Sequence, residues 1–467
     1  MSNAGLYIGL SGILAQSQGL DVVSQNVANA DTPGYTRETT NMTAVVQPGS
    51  AIGSGVAVSS ISQVTDNFLQ TQAYSASADA SSSTSYLATL NSAQTNFQEP
   101  SPVGINEQLS ALWNSFDQVA NHPDQSAGRQ QLVGIAQQLT TTLNSDSQGL
   151  TNVYNSTTSA VSETVTSLNQ QLATVATLNG QITSVLGQNG ANTLIDQRNQ
   201  ILNSISNEIG ARITNNPDGS VTVLSGGVTL VTGTTAETLS VHAPTAPPIP
   251  APGGAVASIV SNSTGTTLPI TTGSLGGQLQ ALNGPLPSYA TSLDAFANSF
   301  ATQVNNILTN GYVYQPYNPT PPPTPPPNGL PLFLSSATGQ PITAANITIN
   351  SQILSNPFNI AAAQNYNQPL DGTNAQAVAA LGSLPNPPDA QYTAIVSQVG
   401  LDVSTSQANA NAQTTRAQSA TASLASVSGV NTNQEMVNML AYQQAYQASA
   451  KVISTISTAV QSLLAAI

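Results

Sequence analysis

The stretch from Val430 to Ile467 constrains this chain more than any other, because it is the clearest helix present and its pattern demands a partner. Met439, Tyr442, Tyr446, Ser449, Ile453, Ile456, Val460, Leu463 and Ile467 are separated by alternating steps of three and four, the seam of a coiled coil. Thr432 with Glu435 three residues on reads as a capping box, the carboxylate lying at the positive end of the helix dipole. At 1.5 Å per residue such a rod is on the order of 50 Å long. That is too long for the interior of a small globule. The same alternation recurs at the other terminus in Leu6, Leu10, Ile13, Ser17, Leu20, Ser24 and Val27. The two ends are expected to pair as an antiparallel coiled coil. Periodicity alone fits equally a coil that also seams to copies of itself and two amphipathic helices on one ordinary core.

Composition narrows the function classes. With 467 residues, 39% of them hydrophobic, the chain can bury sizeable cores in two to four domains. Charged residues are only 6%, against about 25% in ordinary soluble proteins. The surface must therefore be solvated by hydroxyls and amides. A net charge of -14, with Lys451 the only lysine, argues against nucleic acid, whose affinity comes largely from cations, and against an anionic membrane surface. The most apolar C-terminal run, Val452 to Ile467, is interrupted by polar residues and is too short to span a bilayer. There is no cysteine, hence no disulfide or thiolate metal site. The first cation is Arg37, so no basic region precedes an apolar one, and no cleavable secretory signal is expected.

Taken in order, the first helix runs into Asn26-Val27-Ala28-Asn29-Ala30-Asp31-Thr32-Pro33-Gly34-Tyr35, with Pro33 and Gly34 placed as the central residues of a type II turn. Residues 66 to 98 read as helix, Ile105 to Val119 as a helix with one apolar face, and Gln125 to Leu186 as one very long helix. From Gly210 the pattern turns to strands: Arg212-Ile213-Thr214 and Val221-Thr222-Val223-Leu224 flank a turn at Asn216-Pro217-Asp218-Gly219, followed by Val228 to Val231. Helix resumes from about Leu275 to Leu308. The run Tyr312 to Pro331 reads as a stiff polyproline linker, and short strands are expected around Ile347 to Ile349. Ala375 to Leu381 and Tyr392 to Ser426 return to helix.

The predicted fold is mainly α with a small β insertion, in an elongated nested architecture. Residues 1–35 with 430–467 form a terminal coiled-coil domain, and 36–210 with 275–310 and 373–429 a long-helix bundle. Residues 211–274 form an outer β domain, and 311–372 a Pro-rich, irregular segment.

The N-terminal turn, with Asn26, Asn29, Thr32, Pro33, Gly34 and Tyr35, resembles the signature of bacterial flagellar axial proteins, the family that builds rod, hook and hook–filament junction. Tyr442-Gln443-Gln444-Ala445-Tyr446-Gln447-Ala448-Ser449-Ala450-Lys451-Val452-Ile453 is similar to the family's C-terminal ending. Leu194-Ile195-Asp196-Gln197-Arg198-Asn199-Gln200-Ile201-Leu202 resembles a motif of the junction branch that rod and hook proteins lack. The resemblance implies a non-enzymatic structural component, exported without a cleaved signal by a type III route. It further implies a secreted, extracellular place in the flagellum, as a homo-oligomeric ring in its axis. The assembly seam is then Leu6, Leu10, Ile13, Leu20 and Val27 with Met439, Tyr442, Tyr446, Ile453, Ile456, Val460, Leu463 and Ile467. Implied partners are the hook protein, a second hook–filament junction protein, and an export chaperone on the C-terminal segment. Asn433 and Gln434 stand where relatives tend to carry acidic residues, a departure that weakens a charge-based chaperone contact.

No catalytic motif, metal site or cofactor loop is visible. His122 and His242 are the only histidines, and no H-E-x-x-H, G-x-S-x-G or Walker loop occurs. Paired carboxylates remain open, since a glycosidase needs only two. Asp31, Asp66, Asp124 and Asp218 read as turn or cap residues instead. Two alternatives stand beside the junction reading: a hook or rod protein, and a secreted adhesin or carbohydrate-active enzyme on a helical stalk.

Overall fold

The computed structural model describes residues 4–46, 53–97, 99–186, 190–321 and 324–465. The chain opens with helix α1 (Ala4–Ala28), followed by a hairpin of β1 (Glu38–Ala44) and β2 (Val56–Gln63). Three helices follow: α2 (Asn67–Gln94), capped by the Asp66 carboxylate accepting from the Phe68 and Leu69 amides, α3 (Ile105–Asn121) and α4 (Ser126–Val185). Helix α4 has 60 residues, a rod of roughly 90 Å at 1.5 Å per residue. Helix α5 (Ala191–Ile209) ends in the left-handed Gly210, the usual glycine stop.

The β insertion holds two antiparallel sheets. One is β3 (Arg212–Asn215), β4 (Val221–Ser225), β5 (Val228–Thr232) and β6 (Thr235–Ala236), paired in that order. The other is β7 (Leu239–His242), β8 (Ser258–Ser261) and β9 (Thr267–Leu268). Helices α6 (Gly273–Asn283) and α7 (Pro285–Thr309) then break at Gly284. A hairpin of β10 (Phe333–Ser335) and β11 (Ile347–Ile349) and the short α8 (Ser351–Ser355) and α9 (Thr373–Ala379) precede α10 (Pro388–Ser428) and α11 (Thr432–Ala465).

The core belongs to the middle of the chain. Leu109, Leu112 and Phe116 of α3, Leu132, Leu139 and Leu143 of α4, and Leu293, Phe300 and Val304 of α7 are fully buried in one continuous cluster. Phe300 stacks on Phe296 and meets Trp113 and Phe333 edge-on or tilted. Arg129, with no exposed surface, donates from Nε to the Pro123 carbonyl and from Nη1 to those of Pro357 and Ile360. This pins segment 357–360 to the start of α4.

Strands are docked on helices by amides rather than ion pairs. Asn26, Asn169, Asn179, Asn283 and Asn305 each accept from the backbone N–H and donate to the C=O of one residue, respectively Glu38, Leu239, Val221, Ala257 and Phe333. Each partner opens a strand or directly precedes one. The side-chain amide thus imitates a neighbouring strand's peptide group and covers a strand end that would otherwise present unpaired groups. Among the described residues the single ion pair is Arg416 with Asp79, at 3.9 Å.

Two expectations need correction. Residues 38–44 and 56–63, assigned to the helical bundle, form a hairpin lying on α1 instead. Thr-rich β1 and Val-rich β2 carry the β-branched residues that suit a pleated surface. The segment 311–372, expected only as Pro-rich and irregular, also contributes to the core. Leu332, Phe333, Ile347 and Ile353 are buried in the core beside α4 and α7, and the Tyr312 hydroxyl donates to the Pro325 carbonyl.

Candidate assembly surface

Helices α1 and α11 lie antiparallel along their length. A Cβ on Gly19 would meet the Tyr442 ring, on Gly12 the Ser449 hydroxyl, on Gly9 Ile453 and on Gly5 Ile456. The contacting positions of α1 are Gly5, Gly9, Gly12 and Gly19, and Val23 and Asn26 are buried on the same heptad register. This seam has the predicted period, but its phase differs by one residue, about 100° around the helix. Glycines leave room for the α11 side chains to seat against the α1 backbone. The Tyr442 hydroxyl continues past α1 to bond Thr40 Oγ1 of the hairpin at 2.9 Å.

The expected seam on α1 therefore does not face α11. Leu6, Leu10, Ile13, Leu20 and Val27 sit on the neighbouring face, exposed or half-buried. Tyr7 is 66% and Leu14 59% exposed beside them. On α11, Met439, Tyr442, Ile453 and Ile456 are half-buried towards α1, whereas Tyr446 and Val460 are exposed, as are Met436, Val437, Leu440 and Leu464. Of the remaining seam positions, Ile467 and the Leu463 side chain lie outside the described residues. The pair thus carries an apolar strip that the described residues do not cover, and strips of this kind mark interaction sites.

A polar node fixes this pair to the rest of the molecule. Asn26 is 0% exposed and uses its full hydrogen-bonding capacity. Its Nδ2 donates to the Glu38 carbonyl at 2.8 Å and to Glu435 Oε2 at 3.1 Å, while Oδ1 accepts from the Glu38 amide and the Tyr35 hydroxyl, both at 2.9 Å. Burial, followed by the Glu38, Asp196 and Glu435 charges, pushes the Tyr35 phenol far up. It therefore stays protonated and donates.

The turn that delivers Tyr35 has Gly34 at φ +78, and the Tyr35 amide donates to the Thr32 carbonyl at 3.2 Å. This is the type II geometry with Pro33 and Gly34 at its centre. Within it the Thr32 hydroxyl donates to Asn29 Oδ1. A side chain at Gly34 would meet Gln200, whose Nε2 donates to the Pro33 carbonyl at 2.6 Å.

Glu435 was expected to close a capping box with Thr432. Instead Asn431 caps α11, its Oδ1 accepting from the Asn433 and Gln434 amides, and Glu435, 2% exposed, reaches across to Asn26. Asparagine is the equal of threonine or better as a cap, which frees the glutamate for the longer contact.

The motif on α5 joins the same node. Asp196 accepts from the Thr36 amide and from Gln63 Nε2, so it holds both the residue after the turn and the end of β2. Burial raises its pKa, while those two bonds pull the other way. Arg198 points to the opposite side, donating to Asn179 and to the Gly219 carbonyl, where burial lowers its pKa to about 10 and leaves it cationic. The pieces of sequence singled out at Asn26–Tyr35, Asp196–Gln200 and Glu435 therefore converge. The hairpin that completes the cluster gave little signal, because Gly and Ser interrupt its alternation.

Residues 90–317 match the family described as flagellar hook-associated protein FlgK helical domain. That match spans just under half of the chain. The chain's ends match two further flagellar families, residues 6–36 the flagella basal body rod protein and 423–466 the flagellar basal body rod FlgEFG protein C-terminal region. Similar curated relatives are the flagellar hook-associated protein 1 of Salmonella typhimurium strain LT2, 26% identical over 65% of this chain, and that of Escherichia coli K12, 24% identical over the same share. That of Bacillus subtilis strain 168 is 25% identical over 46%. The chain spans 56% of the length of the Salmonella and Escherichia relatives. In structure it resembles the flagellar hook junction protein FlgK from Burkholderia pseudomallei, with a TM-score of 0.61 at 18% identity, covering 77% of this chain and 100% of that one. By name, these relatives and matched families are flagellar proteins.

Proposed function

We propose that this protein forms the junction between hook and filament, as a ring of copies held in the flagellar axis by α1 and α11. The observation that carries this reading is the hook-associated helical-domain match over 90–317, set between rod-type terminal helices whose outer apolar strip is left uncovered by the described residues. Residues 1–35 with 430–467 make the axial layer. Leu6, Leu10, Ile13 and Leu20, with Tyr446 and Val460, are the residues that neighbouring copies cover. Each such side chain contributes roughly 1.5 to 3 kcal/mol when fully buried. Assembly then completes an interface that the free chain leaves open, and the terminal helices become firmly ordered only in the ring.

The same reading makes the protein secreted and non-enzymatic, with the hook protein on one side and a second junction protein on the other. An export chaperone holds the exposed face of α11 until secretion. Deletion of the gene followed by electron microscopy and assay of flagellin in the medium tests the role. Hooks without filaments, with flagellin lost to the medium, support the junction. Absent hooks assign the chain to hook or rod, and normal filaments return it to the adhesins or enzymes.

A further inference from the structure

Away from the terminal pair, the last turn of α5 meets the middle of α4 where Gln171 Nε2 donates to Glu208 Oε1 at 2.7 Å. The other hydrogen of that amide goes to Ser167 Oγ at 3.2 Å, so its donors are spent. Two oxygens of the same pair are left over. Gln171 Oε1 and Glu208 Oε2 are both buried, and neither has a hydrogen-bond partner among the described residues. With Glu208 ionised, the contact would strand two acceptors away from water, which is costly.

The surroundings favour the neutral acid instead. Glu208 lies one residue before the end of α5, at the negative end of the helix dipole, and no basic residue stands in that turn. The start of α6 packs against the same turn, since a Cβ on Gly273 would collide with the Glu208 carbonyl. Helix α6 carries no charged residue, and α4 carries none within a turn of Gln171. Of the charged groups on the other neighbouring elements, Asp79 of α2 pairs with Arg416 and Arg212 of β3 is exposed. Among the described residues no cation stands within ion-pair distance of Glu208. Burial accordingly raises its pKa, against the pull of the Gln171 bond.

We propose that Glu208 keeps its proton in the folded chain and that its Oε2–H donates to Gln171 Oε1, closing an acid–amide ring that latches α5 onto α4 and opens when the proton is lost. A protonated carboxyl is donor and acceptor at once, as a primary amide is, so one proton satisfies both stranded oxygens. Because the folded pKa lies above the unfolded one, near 4.3, the stabilisation is complete in acid and is lost as pH rises through the folded value. Alkaline solution thus frees the end of a helix whose other part, about 18 Å along the axis, holds Thr36 through Asp196.

Glu208→Gln tests the latch, because an amide at 208 offers the same donor and acceptor without a titrating proton. In thermal unfolding of the full chain, read through Trp113, the advantage of the variant over the wild type should grow from pH 5 to pH 8 and reach about 1 to 3 °C. Asp146 and the other buried carboxyls are common to both chains and cancel. An ionised Glu208 predicts the reverse, since the variant then loses a charge-assisted bond. A variant less stable at pH 8, or a difference that does not change with pH, would overturn the proposal. Carbon NMR of the wild-type chain carrying isotope-labelled glutamate gives an answer even if the variant does not fold. The Glu208 carboxyl should keep the shift of a protonated acid after the exposed glutamates, with ordinary pKa about 4.3, have ionised. Ionisation of Glu208 together with them would overturn the proposal equally.

Discussion

The α3–α4–α7 bundle and the α1–α11 pair are both long-helix structures, yet they treat apolar surface in opposite ways. The bundle closes on itself, with leucines and phenylalanines at zero exposure and aromatic rings in direct contact. The terminal pair turns glycines inward and leucines outward. Inward glycines bring the backbones together but bury little side-chain area, so the pair gains little stability from its own seam. Stability and assembly are thus assigned to different parts of one chain.

The contrast can be broken at several points. The largest effect belongs to the bundle. Phe300→Ala should cost about 3 to 5 kcal/mol, read in denaturant through Trp113, which packs on Phe300 and is the only tryptophan in the chain. Next comes pH. Because the Asp146 folded pKa of about 7 lies above the unfolded value near 4, its contribution is complete below about pH 4 and is lost as pH rises through 7. The same Trp113 transition should therefore be more stable at pH 5 than at pH 8, by about 2 to 3 kcal/mol. Asp146→Asn should flatten most of that dependence.

At the terminal pair the effects are smaller and local. Asn26→Ala orphans the Tyr35 hydroxyl and the buried Glu435 carboxylate, at a cost on the order of 2 kcal/mol. Proteolysis or amide exchange should register this in α1 and α11, with the Trp113 transition unmoved. Gly9→Ala places a methyl 2.6 Å from Ile453 Cγ1 and should loosen the seam by about 1 to 2 kcal/mol. Smallest in the monomer is Leu10→Ser, worth less than about 0.5 kcal/mol at an exposed site. The same substitution should abolish filament attachment in cells, and a normal filament would separate the leucine face from assembly.

The sequence carried the helices because their periods are long and their breakers plain. The 60-residue α4 and both terminal rods are examples. It misplaced the seam phase on α1 because hydrophobicity marks where a helix wants apolar company, and here the leucines are the outward face. Glycine, with no side chain to score, marked the inner one. The node was legible only in pieces: Asn26, Tyr35 and Asp196 stood out by resemblance, but nothing local ties Glu435 to Asn26 across 409 residues. The asparagines that dock strands were invisible for the same reason, since an amide's partner depends on the tertiary fold.

Amide hydrogen exchange of the monodisperse chain, compared with the assembled ring, tests the central claim most directly. The account predicts slow exchange through the middle of α4 in both forms, and fast exchange along α1 and α11 in the monomer that becomes slow on assembly. Full protection of α1 and α11 in the free monomer would contradict it.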